Sequence, residues 1–329
     1  MQGRRTVTAA SVYAPRMRIG CVALVLLACG GGAASHDDAP GPDGTPATPS
    51  GCITDASAGD HTFTCSGLQV DARVPEACAT SSGCGLILEL HGDTGNGLLM
   101  DGHTKLRELG AQHGYVVIAP SGPPWGGGDP GSTWHATNDA ALVEMVQQFA
   151  TVFRIDPKKI HVTGFSRGGF VTWRLLCDHA DLFASAAPAG AGDGTAFGEA
   201  TCFTPGRAPS RKLPILFMMG RTDASVGYAS MAKIRDAARA SYGTGAVTVV
   251  DQDASYTHNR WTNGAAILET FDHAYETIPN GPFGYARGHC IAGSTSDPMA
   301  PQYAIPCKLP NAFVWGEQVM AFFLAHPRP

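Results

Sequence analysis

Six apolar runs of strand length punctuate this sequence, with helical patterns between them. The runs are 86–90 (LILEL), 115–119 (YVVIA), 160–163 (IHVT), 183–187 (FASAA), 215–219 (ILFMM) and 247–250 (VTVV). Residues 141–153 place Leu142, Met145, Val146, Phe149 and Val152 at helical spacing, and 230–242 and 315–324 also read as helices. Short buried strands alternating with helices imply a mostly parallel sheet covered on both faces, an α/β fold. Chemistry in such sheets collects in loops beyond the carboxyl ends of the strands. The residues there are His91-Gly92, Ser121-Gly122, Ser166 and Asp223.

Ser166 lies in Gly164-Phe165-Ser166-Arg167-Gly168, a match to G-x-S-x-G. The pattern is cheap in a chain with 41 glycines. Its setting makes it informative: IHVT is a strand, and GGFVTWRLLCDHA reads as a helix carrying Phe170, Trp173, Leu176 and Cys177. A strand-to-helix elbow lifts the serine oxygen clear of the backbone, and the flanking glycines let strand and helix pack closely around it.

The first residues read as an export leader rather than as fold. Arg4, Arg5, Arg16 and Arg18 precede an apolar run at 19–28, too short to span a bilayer. Met17 begins a stretch that is a complete leader alone. The run ends Leu26-Leu27-Ala28-Cys29, which resembles a bacterial lipobox and implies lipidation at Cys29, with simple cleavage as the alternative. Residues 30–50 hold almost no large apolar side chain and read as a flexible tether, leaving 51–329 as one large domain.

Net charge is −5 and no basic run follows the leader, so a nucleic-acid partner is not expected. Eight cysteines follow it: Cys52, Cys65, Cys78, Cys84, Cys177, Cys202, Cys290 and Cys307. An even number in an exported chain argues for disulfides. Nearest-neighbour pairing would join 52–65, 78–84, 177–202 and 290–307, although sequence permits many other connectivities. No C-x-x-C or H-x-x-x-H pair supports a structural zinc site.

The stretch FRIDPKKIHVTGFSRGGFVTWRLLCDHADLFASAAPAGAG resembles the extracellular poly(3-hydroxybutyrate) depolymerases and the related feruloyl and acetylxylan esterases of the α/β-hydrolase fold. LELHGDTGNG, MMGRTDASVGY and GHCIAGS extend the resemblance in the same order over most of 85–325. It implies ester chemistry without a metal or organic cofactor. A serine hydroxyl needs an imidazole to take its proton and a carboxylate to fix that imidazole's tautomer. In this fold the chain order is Ser, acid, His. The resemblance then implies Ser166 as nucleophile, Asp223 in Gly-Arg-Thr-Asp as acid, and His289 in Gly-His-Cys as base. Asp251 and Asp253 are fallback acids, and His258 and His273 are rival bases; His273 lies in TFDHAYETI, which reads as a strand and suits a structural or surface role.

The oxygen anion of a tetrahedral intermediate needs N–H donors. The backbone of Arg167 is one, and the loop after LILEL supplies the other, with Asp93 ahead of Thr94. An acidic side chain at 93 departs from the small, cysteine or aromatic residues expected of relatives, and its carboxylate must point away from the developing anion. Trp134, Phe165 and Tyr228 are the expected substrate contacts, with Trp125 beside them and His135 as a polar loop residue. The reading is a secreted or cell-surface hydrolase of polyester or wall-polysaccharide esters, touching a membrane only through a lipid anchor. A further binding domain is not expected, because the chain ends soon after its last helix. An acyltransferase or peptidase on the same fold, and a non-catalytic surface lipoprotein that kept the fold, are the competing readings.

Overall fold

A computed structural model describes residues 46–124, 133–195, 202–277, 287–295 and 305–329, all within one compact unit, 40–329. The expected leader, with Cys29, and Trp125 lie outside the described residues. In chain order the elements are β1 (Gly59–Cys65), β2 (Leu68–Val74), α1 (Glu76–Thr80), β3 (Gly85–Leu90), α2 (Gly97–Thr104), α3 (Leu106–Gln112), β4 (Tyr115–Pro120) and α4 (Asp139–Val152). There follow β5 (Ile160–Phe165), α5 (Arg167–Asp178), β6 (Ser185–Ala189), β7 (Ile215–Gly220), α6 (Tyr228–Tyr242), β8 (Thr248–Gln252), β9 (Tyr256–Asn263), β10 (Ala266–His273) and α7 (Trp315–Ala325). Among the described residues, no helix is long and apolar enough to cross a membrane.

All ten strands form one sheet, in the order β1-β2-β4-β3-β5-β6-β7-β10-β9-β8. The centre, from β4 to β10, is parallel, and antiparallel hairpins extend both edges. Alternate residues of the buried strands serve two cores. Leu86, Leu88, Val162 and Phe217 pack with Val146 and Phe149 of α4 and Trp173 of α5. Ile87, Val117 and Leu216 pack with Leu106 of α3 and Trp315, Val319 and Phe323 of α7. This is why β3, β4, β5 and β7 read as continuous apolar runs: both faces are covered.

Three expectations shift. The strand expected at 183–187 lies two residues later, as β6. Phe183 is buried, but pairing with β5 begins at His161 and Ser185. Pro188 breaks the apolar run without ending the strand. It has no N–H to donate, and the ladder to β7 is reduced to Ala186 with Ile215 and Ala189 with Met218. The run at 247–250 is not a buried strand of the parallel sheet. It becomes β8, an exposed antiparallel edge on which Val249 is 47 % accessible. Residues 46–50, expected within the tether, are docked. Arg154 Nη1 donates to the Pro46 carbonyl at 2.7 Å, the Ala47 N–H donates to the Ala79 carbonyl at 2.9 Å, and Ala47 rests on the core.

The nearest-neighbour cysteine pairing is the one found: Cys52–Cys65, Cys78–Cys84, Cys177–Cys202 and Cys290–Cys307. His273 lies close to the sulfurs of Cys290 and Cys307, but those sulfurs are bonded to each other and offer no thiolate to a metal.

Candidate active site

Ser166 stands at the turn between β5 and α5 with φ 54° and ψ −118°. A positive φ on a residue with a Cβ costs of order 1–3 kcal/mol and persists only where the surroundings enforce it. Here β5 and β6 enforce it: the Ser166 N–H donates to the Ala189 carbonyl at 2.9 Å. The flanking glycines are required sterically. A Cβ on Gly164 would lie 2.5 Å from the Gly168 carbonyl oxygen, and one on Gly168 would lie 2.2 Å from the Leu90 oxygen. The Arg167 N–H is the first of α5, ahead of the first helical bond from Phe170 N–H to the Ser166 carbonyl at 3.0 Å.

Asp223 follows β7 and is buried, as is His289. The His289 Nδ1 lies 2.7 Å from Asp223 Oδ2. The other carboxylate oxygen accepts the N–H groups of Ser225 at 2.9 Å and Val226 at 2.8 Å. Burial pushes the Asp223 carboxyl up, but His289 and these N–H donors outweigh it and hold the group below the usual range. Such a carboxylate stays ionised and acts as an acceptor, so the Nδ1 facing it carries the proton and Nε2 is left as the basic nitrogen.

Two glycines bring the acid and base loops together. Gly288 has φ 71°, and a Cβ there would lie 2.6 Å from the Asp223 nitrogen. A Cβ on Gly220 would lie 2.1 Å from the Gly288 oxygen. Directly after His289, Cys290 ties the base loop to Cys307, and Ile291 pairs with the same segment through N–H to Ile305 O at 2.9 Å. The imidazole rests 4.7 Å, centroid to centroid, from the ring of Phe165, the residue before Ser166. A Cβ on Gly190 would touch both rings, at 2.9 Å from Phe165 and 3.2 Å from His289.

The loop after β3 approaches from the other side. A Cβ on Gly92 would lie 3.2 Å from Ser166 Cβ. His91 braces this loop from within: its Nε2 accepts the Gly122 N–H at 2.9 Å, so its Nδ1 carries the proton and donates to Gly92 O at 2.6 Å. Burial pushes His91 down to about 4, partly opposed by the Gly92 carbonyl, and the ring is neutral at ordinary pH. The Asp93 carboxylate accepts from Arg167 Nε at 3.2 Å and from the Thr133 hydroxyl. Its negative charge is therefore engaged by a cation.

Of the expected substrate contacts, Trp134 is fully buried. Its indole N–H donates to the His91 carbonyl at 3.0 Å and its ring lies 4.8 Å from the His91 ring, so it supports the loop from behind and presents no face to a substrate. Phe165 is likewise buried, beneath His289. Tyr228 is half-buried, and its hydroxyl donates to Asp272 at 2.9 Å. His135 is exposed at the start of a short 3-10 turn.

Of the rival acids and bases, Asp251, Asp253 and His258 lie on the β8–β10 edge of the sheet, whereas His273 lies beside the acid and base loops. Asp251 is on the exposed edge strand β8, and Asp253 caps the turn into β9. His258 pairs with Glu269 at 2.6 Å on the β9–β10 hairpin. His273 is buried at the end of β10, where its Nδ1 accepts the Tyr275 N–H at 3.3 Å; burial and the nearby charges of Arg221 and His289 push it down to about 4 against the pull of Asp223. Sequence reasoning did not single out Thr133, Gly190 or the bracing role of His91. The sequence does carry a signal for His91, a histidine directly before a glycine at a strand's carboxyl end.

The family model for "Alpha/beta hydrolase family" matches residues 87–315. Among similar proteins, feruloyl esterase B of Neurospora crassa is 30% identical over 149 residues, 43% of this chain and 50% of its own. Acetylxylan esterase A of Aspergillus ficuum is 31% identical over 116 residues, 32% of this chain and 37% of its own. Poly(3-hydroxyalkanoate) depolymerase C of Paucimonas lemoignei is 28% identical over 151 residues, 42% of this chain and 36% of its own. The matched stretch thus spans half or less of each of these relatives. The acetyl xylan esterase structure from Aspergillus awamori shares the fold, with a TM-score of 0.57 at 17% identity, over 81% of this chain and 99% of that one.

Proposed function

Because the chain belongs to the alpha/beta hydrolase family, we propose that it is a carboxyl-ester hydrolase working through Ser166, His289 and Asp223. The observation that carries this reading is a buried imidazole held 2.7 Å from an ionised carboxylate, with its ring 4.7 Å from that of Phe165, the residue directly before the strained Ser166 at the β5–α5 elbow. In this mechanism the Ser166 oxygen forms a bond to the ester carbonyl carbon while its proton passes to His289 Nε2. The oxygen anion is received by the N–H groups of Arg167 and Asp93. Collapse breaks the bond to the alcohol, which leaves with the proton from His289. Water, deprotonated by the same nitrogen, then releases the acid and restores Ser166. This chain's residues complete the cycle without a cofactor.

We take the substrates to be esters of polymers, either acyl groups on wall polysaccharides or a polyester. Relatives named as feruloyl and acetylxylan esterases and as a polyhydroxyalkanoate depolymerase support that class. A groove of about 400 Å³ beside the loop after β3, lined by Gln69, Asn96, Leu98, Ser121 and Pro124, offers mixed polar and apolar surface to a chain. Export fits the leader at 1–29 and the four disulfides, with Cys29 as the residue to carry a lipid. The test is a hydrolysis panel of short p-nitrophenyl esters, methyl ferulate, acetylated xylan and amorphous poly(3-hydroxybutyrate). Turnover of at least one member, lost by a thousandfold or so in Ser166→Ala with an unchanged circular dichroism spectrum, is the expected result. An inert wild-type protein would favour the non-catalytic lipoprotein.

A further inference from the structure

The two proposed oxyanion donors belong to different segments. The Arg167 N–H opens α5, while the Asp93 N–H sits in a loop between Gly92 and Gly95, with Thr94 at φ 64°. Its two glycines give that loop backbone alternatives, and one turn hydrogen bond, Gly95 N–H to the Gly92 carbonyl at 3.1 Å, closes it around Asp93. Its base is held by His91, through Gly122 and Trp134. The donor residue itself is held by its side chain. Arg167 Nε reaches both carboxylate oxygens of Asp93, at 3.2 and 3.4 Å, and the Thr133 hydroxyl donates to one of them. The residue that supplies one donor amide is thus bonded, side chain to side chain, to the residue that supplies the other. The ion pair is mostly shielded, at 18% and 24% side-chain exposure, and water screens it less than a surface pair.

We propose that Arg167, Asp93 and Thr133 form a positioning clamp that sets the spacing of the two oxyanion donors. The proposal rests on the reading of Ser166 as nucleophile. Side-chain substitutions leave both backbone N–H groups in place, so any effect on rate reaches the anion through geometry or through the field of the lost charge. The two routes differ in sign. Asp93 places a negative charge near an oxygen that becomes negative in the transition state. If only the field mattered, Asp93→Asn would raise the rate and Arg167→Met would lower it. If the clamp matters, both lower it, because misplacing a reacting group by about an ångström can cost on the order of a hundredfold.

The experiment is a double-mutant cycle on hydrolysis of a p-nitrophenyl ester, with kcat and KM measured separately. The clamp predicts that Asp93→Asn and Arg167→Met each lower kcat about tenfold and leave KM within about twofold. It predicts that the double variant is no slower than the worse single one, and that Arg167→Lys recovers part of the loss. Thr133→Val should lower kcat by a smaller factor. Affinity for a trifluoromethyl ketone, which forms a tetrahedral adduct on serine, should fall in step with kcat/KM. Melting temperatures identify a variant that has failed to fold, and in that case Arg167→Lys with Asp93→Asn carries the cycle. An Asp93→Asn enzyme as fast as the wild type, or faster, overturns the clamp, as does simple additivity. Fluorophosphonate labelling separates this from a failure of the underlying reading: with the wild type unlabelled at Ser166 the nucleophile assignment falls, whereas with normal labelling and an unslowed Asp93→Asn only the clamp does.

Discussion

Asp223 and His289 illustrate how one side chain fixes another's chemistry. With Nδ1 donating to Asp223 Oδ2, the lone pair of His289 must sit on Nε2, the nitrogen a serine proton can reach. Asp223→Asn keeps the shape but can present an N–H to Nδ1, which favours the other tautomer. We expect kcat to fall by about a thousandfold or more with KM little changed, measured by steady-state hydrolysis; an Asn variant within about tenfold of wild type would remove Asp223 from the role. The pairing of His289 with Asp223 was legible from two short glycine-containing motifs, Gly-Arg-Thr-Asp at the carboxyl end of β7 and Gly-His-Cys in a loop beyond β10. Trp134 was not. An aromatic residue on a glycine-rich loop looks the same in sequence whether it faces a substrate or, as here, is buried beneath the loop after β3 with its N–H on the His91 carbonyl. Asp93 looked like a liability until Arg167 and Thr133 appeared around it, because no local pattern announces a pairing between residues so far apart in the chain.

At the scale of elements, glycines decide how closely chain segments approach. Gly168→Ala would drive a Cβ to 2.2 Å from the Leu90 oxygen, so α5 must move away from β3. A destabilisation of about 1–3 kcal/mol or more, seen as a lowered melting temperature, is expected together with loss of turnover. The Cys290–Cys307 bridge acts on the base loop in a comparable way. Closing its loop stabilises the fold by roughly 3 kcal/mol in the chain-entropy view. Cys290→Ser should lower both the melting temperature and the turnover measured well below it, because His289 is the adjacent residue; full turnover in that variant would show that the loop holds the imidazole without the bridge. The buried strands β3, β4, β5 and β7 were readable as apolar runs. β1 and β9 were not, since GDHTFTC and YTHNRWTN are largely polar and gain their strand character from antiparallel neighbours. β10 was read only in its second half, at the start of TFDHAYETI: Glu269, Asp272 and His273 are buried within it, and paired polar groups interrupt the apolar pattern that a covered strand otherwise shows.

Across the whole molecule, buried histidines set the response to acid. Burial pushes His91 and His273 down to about 4 and His161 down to about 3, from 6.5. The folded state keeps all three neutral, while the unfolded chain binds protons below 6.5. The stability they contribute is therefore complete above 6.5 and is lost as pH falls toward 4. Glu89 works in the opposite sense. Burial and the charge of Asp101 raise its carboxyl well above 4.5, so the folded state holds a proton that the unfolded chain releases. Three groups less one leave a net uptake of about two protons on unfolding near pH 5, a slope of roughly 3 kcal/mol per pH unit. Calorimetric melting between pH 7 and pH 5 should show a falling midpoint and that proton uptake, and a flat profile would contradict the neutral-histidine account. One oxygen atom of the same molecule, Ser166 Oγ, carries the proposed chemistry. Incubation of the folded, disulfide-intact protein with a fluorophosphonate, followed by peptide mapping, tests it most directly. A serine hydrolase working through Ser166 takes up one phosphonyl group per chain, on Ser166, absent from Ser166→Ala and delayed by an ester substrate; a folded protein that stays unlabelled, or carries the label on any other residue, rules that nucleophile out.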